Sequence, residues 1–98
     1  MKRIEISCVC GYGLGTSLIL KMSLDDVLQE EGLEANVYPQ DITSAAMLNV
    51  DLILSSEEFY EQLKAQNDAP VVMVTDFLDK NLLREVALPA IRELMEQD

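Results

Sequence analysis

An open, mainly parallel four-stranded α/β sheet, with spatial strand order 2-1-3-4 and helices on both faces, is the fold class this sequence predicts. Three observations carry that expectation. Strand-like and helix-like apolar patterns alternate along the 98 residues, which is the signature of parallel strands joined by helical crossovers. The runs Leu52-Ile53-Leu54-Ser55 and Val71-Val72-Met73-Val74 are almost continuously apolar, as in strands buried on both faces. The first strand pattern passes straight into a helix pattern through a turn holding three of the chain's four glycines.

In chain order, residues 3–9 alternate, with Ile4 and Ile6 opposite Glu5, and end in the apolar Cys8-Val9-Cys10, so a strand enters the centre of a sheet. Leu18, Ile19, Met22, Leu24, Val27 and Leu28 then recur mostly at helical intervals, with Lys21, Asp25, Gln29 and Glu30 assigned to the other face, and Gly32 is the expected C-terminal cap. Residues 34–38 alternate and Pro39 ends them, giving a short edge strand. Residues 41–46 read as a loop with one helical turn. After Leu52-Ile53-Leu54-Ser55, Ser56 is an N-cap followed by the acids Glu57 and Glu58, opening a helix to about Ala65. Asn67-Asp68-Ala69-Pro70 is turn chemistry before the fourth strand. A final helix directs Leu82, Leu83, Val86, Ile91, Leu94 and Met95 to the core; Pro89 either kinks it or follows a turn that precedes a shorter helix.

Right-handed crossovers favour the 2-1-3-4 order, and in such sheets ligands bind outside the carboxyl ends of the strands at the switch point. Here that point lies beside strand one, where Cys10 stands.

Length and composition narrow the function classes. Ninety-eight residues, 49% hydrophobic and 26% charged, make one globular domain, residues 1–98, and no apolar run approaches the ~20 residues of a membrane span. Charged residues at the start and the short alternating strand after them do not form a secretory signal. Two cysteines one residue apart and no histidine support neither a disulfide framework nor a zinc site, so no metal is expected and a reducing cytoplasm fits. A net charge of -11 excludes a nucleic-acid binder, because nothing would neutralise a phosphate backbone. The acid excess serves solubility or complements basic partner proteins.

The chemistry concentrates in Cys10-Gly11-Tyr12-Gly13-Leu14-Gly15-Thr16-Ser17. A thiol at a strand end facing the amino end of a helix meets about half a positive charge and several unpaired amides, which stabilise the thiolate. Such placement lowers a cysteine pKa from about 8.5 into the range ~3.5–7.5, giving a nucleophile at neutral pH without a histidine. Gly11, Gly13 and Gly15 permit the backbone of an amide-lined anion cradle, and Thr16 and Ser17 are placed to cap the helix. The bland alternative is a tight turn beside a small buried cysteine. The three glycines directly after the thiol favour the functional reading.

Rival motifs fit less well. In Gly11-x-Gly13-x-Gly15 the third glycine falls one residue early for a dinucleotide fingerprint, and a Walker-type loop would need Lys where Gly15 stands. Cys8 and Cys10 point to the same side of a strand, but a bridge between them is strained, so Cys8 reads as a buried strand residue. Asp76 reads as a capping or turn residue and Lys21 as part of a solvated face, with a general acid and a phosphate or partner contact as their respective alternatives.

The segment from Cys10 to Met22 resembles the active-site loop and first helix of enzyme IIB components of sugar phosphotransferase systems. It is most similar to the ascorbate-type, lactose/galactitol-like branch, whose loop reads Cys-Gly-x-Gly-x-Gly-Ser-Ser and continues into a helix carrying Lys-Met. Thr16 stands where those loops have Ser. The length and element order of the whole chain also fit, although only the first third carries the motif. The resemblance implies a fold like that of low-molecular-weight tyrosine phosphatases. It also implies a cofactor-free phosphoryl relay in which Cys10 accepts phosphate from a phosphohistidine on enzyme IIA, holds it as phosphocysteine within a cradle of Gly11 to Ser17, and passes it to sugar at the membrane component, enzyme IIC.

A small cysteine-dependent phosphatase is the alternative, and a redox or anion-binding module stands behind it. The phosphatase motif, Cys, five residues, Arg, then Ser or Thr, has its Arg position occupied here by Thr16 and its hydroxyl position by Ser17. Without the bidentate clamp, hydrolysis should be slow, since loss of one strong donor costs roughly 10²–10³ in rate. Transfer between proteins also requires a docking surface around the loop, and Tyr12 and Leu14 are the side chains expected to form it.

Overall fold

The computed structural model describes residues 4–9, 14–40, 42, 49–76 and 78–96, with residues 14–17 described by their backbone. The elements follow as β1 (Ile4–Val9), α1 (Leu14–Glu31), β2 (Ala35–Gln40), β3 (Leu52–Ser55), a 3-10 turn (Glu57–Phe59), α2 (Tyr60–Gln66), β4 (Val71–Met73) and α3 (Lys80–Met95). The sheet order is β2-β1-β3-β4, and every pairing is parallel. The predicted topology holds, and all four carboxyl ends share one edge.

Alternation along the strands divides the core in two. Ile4, Ile6 and Cys8 of β1, with Leu52 and Leu54 of β3, face α1 and α3 and pack with Leu20, Leu24, Val27, Leu83 and Ile91. Val9 and Ile53 point the other way and pack with Leu63 of α2. Helices therefore cover both faces. A fully buried aliphatic side chain contributes about 1.5–3 kcal/mol, so the larger cluster supplies most of the apolar stabilisation.

The first helix corrects the sequence expectation. Leu24, Val27 and Leu28 are buried as predicted, but the fourth member of the stripe is Leu20, while Leu18, Ile19 and Met22 are exposed at 46%, 44% and 59%. Residues 20, 24, 27 and 28 span one helical face, and 18 and 22 fall almost opposite it. Apolar residues occupy both sides of this stretch, so periodicity alone does not choose between them. Lys21 lies on the half-buried flank in an ion pair with Asp25 one turn on, which supports its solvated-face reading.

Gly32 ends α1 as predicted, at φ 70°. Leu33 donates its N–H to the Leu28 carbonyl at 2.9 Å and Gly32 to that of Gln29 at 3.2 Å, closing a Schellman cap. β2 does not stop at Pro39 but runs to Gln40. It is an edge strand, where a missing N–H costs no ladder bond.

Of residues 41–46 only Ile42 is described, packed against the α2-side core; the expected turn in the rest lies outside the described residues. Ser56 stands where the predicted N-cap belongs, but its side chain makes no capping bond. The acids Glu57 and Glu58 open a 3-10 turn instead, and α2 follows it.

β4 is half-buried rather than fully buried, because it is the other edge of the sheet. Asn67 accepts the Ala69 N–H at 3.0 Å in the predicted turn. Asp76 accepts the Leu78 N–H at 3.0 Å, the turn-forming role expected of it. The cap of α3 is Asp79, whose carboxylate accepts the Leu82 N–H at 3.1 Å. α3 continues through Pro89 as one helix. Pro89 and Glu85, whose carbonyl would lose its helical donor, are both on the exposed side, where water can serve that carbonyl.

Candidate functional site

β1 ends at Val9 and α1 begins at Leu14. Residues 10–13 join the carboxyl end of a central strand to the amino end of an 18-residue helix. Cys10, Gly11, Tyr12 and Gly13, four of the predicted site residues, lie in that connection and outside the described residues. The other four, Leu14, Gly15, Thr16 and Ser17, form the first turn of α1.

That placement corrects two expectations. The backbones of Thr16 and Ser17 lie inside the helix, past the cap position expected of them. Gly15 is helical, so its use is not a left-handed backbone. The first turn of α1 contains no acidic side chain, and nothing there opposes the attraction of its free amides for an anion.

The carboxyl end of β1 is flanked by β3. Ser55 pairs with Val9 across the sheet, and Ser56 donates its N–H to the Val9 carbonyl at 3.2 Å. Both serines are buried, and Ser55 Oγ donates to the Ser56 carbonyl at 3.1 Å. Sequence reasoning missed this pair as neighbours of the site. Its only signal was the serine doublet directly after an apolar strand whose end faces the switch point. Cys8 is fully buried in the larger core, as expected of a strand residue.

Charges elsewhere are engaged in holding the helices. Lys80 pairs with Asp26 at 3.0 Å, Arg84 with Glu30, and Arg92 with Glu31 at 2.8 Å. Each of these cations on α3 is directed to α1. Among the described residues no arginine is placed to clamp a phosphate at the Cys10 turn.

The sequence matches the family described as "PTS system, Lactose/Cellobiose specific IIB subunit" over residues 5–87. The chain belongs to this IIB family. It is 27% identical over 86 residues to an ascorbate-specific PTS system EIIB component of Mycoplasma pneumoniae, covering 86% of this chain and 90% of that one. It is 26% identical to the ascorbate-specific EIIB component of Salmonella typhimurium, covering 97% and 96%. In structure it resembles the lactose-specific IIB component domain of Streptococcus pneumoniae, with a TM-score of 0.67 at 16% identity over 97% of each chain.

This IIB protein is a phosphotransferase, a phosphoryl carrier of a sugar phosphotransferase system. Family membership implies that it works with IIA and IIC partners. None of its described helices is long and apolar enough to cross a membrane.

Proposed function

We propose that Cys10 is the phosphoryl acceptor and that Gly11, Tyr12, Gly13, Leu14, Gly15, Thr16 and Ser17 form the phosphate cradle, within a single IIB domain spanning residues 1–98 and acting in the cytoplasm. The observation that carries this reading is the position of residues 10–13 between the carboxyl end of β1 and the acid-free first turn of α1. The Cys10 thiolate attacks the phosphorus of a phosphohistidine on IIA. The S–P bond forms as the N–P bond breaks, and the imidazole leaves with the electron pair. At IIC a sugar hydroxyl oxygen attacks the same phosphorus, gives up its proton, and the thiolate departs. Helix-end amides hold the charge in both steps.

The ascorbate-specific relatives make ascorbate the favoured transported compound. The exposed strip of Leu18, Ile19 and Met22 starts one turn beyond Leu14. With Tyr12 and Leu14 it supplies the docking surface for IIA, since large apolar side chains beside a transfer site favour protein contact.

Labelling from phosphoenolpyruvate through the general relay proteins and a matching IIA tests the assignment. Stable label on Cys10, abolished by Cys10→Ser and retained in Cys8→Ser, is the expected result. Label on Cys8, or its rapid release as free phosphate, would overturn it.

A further inference from the structure

Ser56 has a buried hydroxyl that the fold does not use. Its residue exposure is 6%, and Oγ has no hydrogen-bond partner. Its backbone is extended, φ -70° and ψ 161°, at the cap position of the 3-10 turn, yet the side chain does not cap that turn. A buried polar atom left unpaired costs about 1–3 kcal/mol, so its retention calls for a partner not supplied by the fold.

The register says where that partner lies. Ile6, Ser7, Cys8 and Val9 of β1 pair with Leu52, Ile53, Leu54 and Ser55 in turn. Ser56 continues β3 by one residue, and its N–H meets the carbonyl of Val9, the group bonded to the nitrogen of Cys10. Alternation sets Ser56 on the face of Leu54 and Cys8, the one covered by α1, rather than on the α2 face of Ile53. The hydroxyl thus belongs to the residue that meets the end of β1, at the Val9 carbonyl to which Cys10 is bonded, on the side of the sheet that α1 covers.

Resting on the assignment of Cys10 as acceptor, we infer that Ser56 is a further residue of the phosphoryl site, its O–H donating a hydrogen bond to the Cys10 thiolate and, after transfer, to a phosphoryl oxygen. Such a bond favours the charged form and lowers the thiol pKa. Ser7 supplies an internal control. Its hydroxyl is equally buried and without a partner, but it belongs to the α2 face of β1.

The test compares the wild-type chain with Ser56→Ala, Ser56→Cys and Ser7→Ala, following iodoacetamide alkylation of Cys10 against pH by peptide mass spectrometry. Ser56→Ala should raise the alkylation midpoint by about one pH unit and shorten the phosphocysteine half-life, while its melting temperature stays equal or rises. Ser56→Cys, a weaker donor of similar size, should shift the midpoint less, and it carries the test if the alanine variant does not fold. Ser7→Ala should leave the midpoint unchanged. Midpoints of the Ser56 variants that superpose on wild type, as expected of a hydroxyl serving only a buried water, would overturn the inference. So would an equal shift in Ser7→Ala. Failure of the Cys10 assignment is seen separately, as absence of label on Cys10 in the wild-type chain.

Discussion

Lys80 Nζ lies 3.0 Å from Asp26 Oδ2, tying the first turn of α3 to a point past the middle of α1. Arg84 and Glu30 repeat the pairing one turn on with the same sequence offset. The start of α3 is thus level with Asp26, and the 12 residues of α1 before it, Leu14 to Asp25, extend roughly 18 Å beyond. This overhang leaves Leu18, Ile19 and Met22 uncovered and carries the helix amino end to the carboxyl edge of the sheet.

The Lys80–Asp26 side chains are 44% and 54% exposed, so water screens their attraction. Asp26→Asn should therefore cost only about 0.2–1 kcal/mol. Thermal melts at low and high salt check this: the difference from wild type should shrink as salt rises, and phosphoryl uptake should be unchanged.

The Glu5 carboxylate beside the Tyr38 phenol holds its pKa above the ordinary 10.0, first as a hydrogen-bond acceptor, then with help from burial and charge repulsion. A raised folded-state pKa means that the neutral phenol is favoured by folding. The contribution is complete below the unfolded value near 10 and is lost as pH climbs through the folded value. Absorbance titration at alkaline pH should show one tyrosine ionising late in wild type and returning toward 10 in Glu5→Gln.

The sheet order was legible because strand and helix patterns alternate along the chain, β3 is an almost continuous apolar run, and the crossovers have one allowed hand. The candidate site could be proposed from the sequence because glycines at 11, 13 and 15 directly after a thiol are a local pattern needing no tertiary information. Other features required the fold. Nothing local says that Leu20 rather than Leu18 faces the sheet, since that depends on where α3 begins. Pro39 reads as a strand end, yet on an edge its missing N–H faces no partner. Ser56 reads as a cap, and only the register of β3 against β1 brings it beside Val9, the last residue of β1.

Gly32 closes α1 at φ 70°, and a Cβ added there would meet no atom within 4 Å. The penalty of Gly32→Ala is therefore conformational rather than steric crowding, about 1–2 kcal/mol for an L-residue in the left-handed region. In a domain of this size that lowers the melting temperature by roughly 4–16 °C. Gly32→Asn should lose less, because asparagine tolerates the conformation better. Equal losses for the two would show that the cap does not depend on the left-handed backbone.

Thr16 occupies the position of the phosphate-clamping arginine in the related phosphatase loop, and its backbone lies in the first turn of α1. A carrier works only if water discharges phosphocysteine more slowly than the sugar does. A bidentate guanidinium would stabilise the hydrolytic transition state along with the productive one. Thr16→Arg should therefore accept phosphate from IIA but release it faster, shortening the phosphocysteine half-life by about 10-fold or more. The check is the decay of labelled, isolated protein in the absence of IIC, with Thr16→Lys as a comparison that adds charge without the planar fork. Faster decay in the arginine variant alone assigns the effect to bidentate geometry. Equal acceleration in both assigns it to charge, and unchanged decay in both would show that the missing arginine is not what keeps this carrier from acting as a phosphatase.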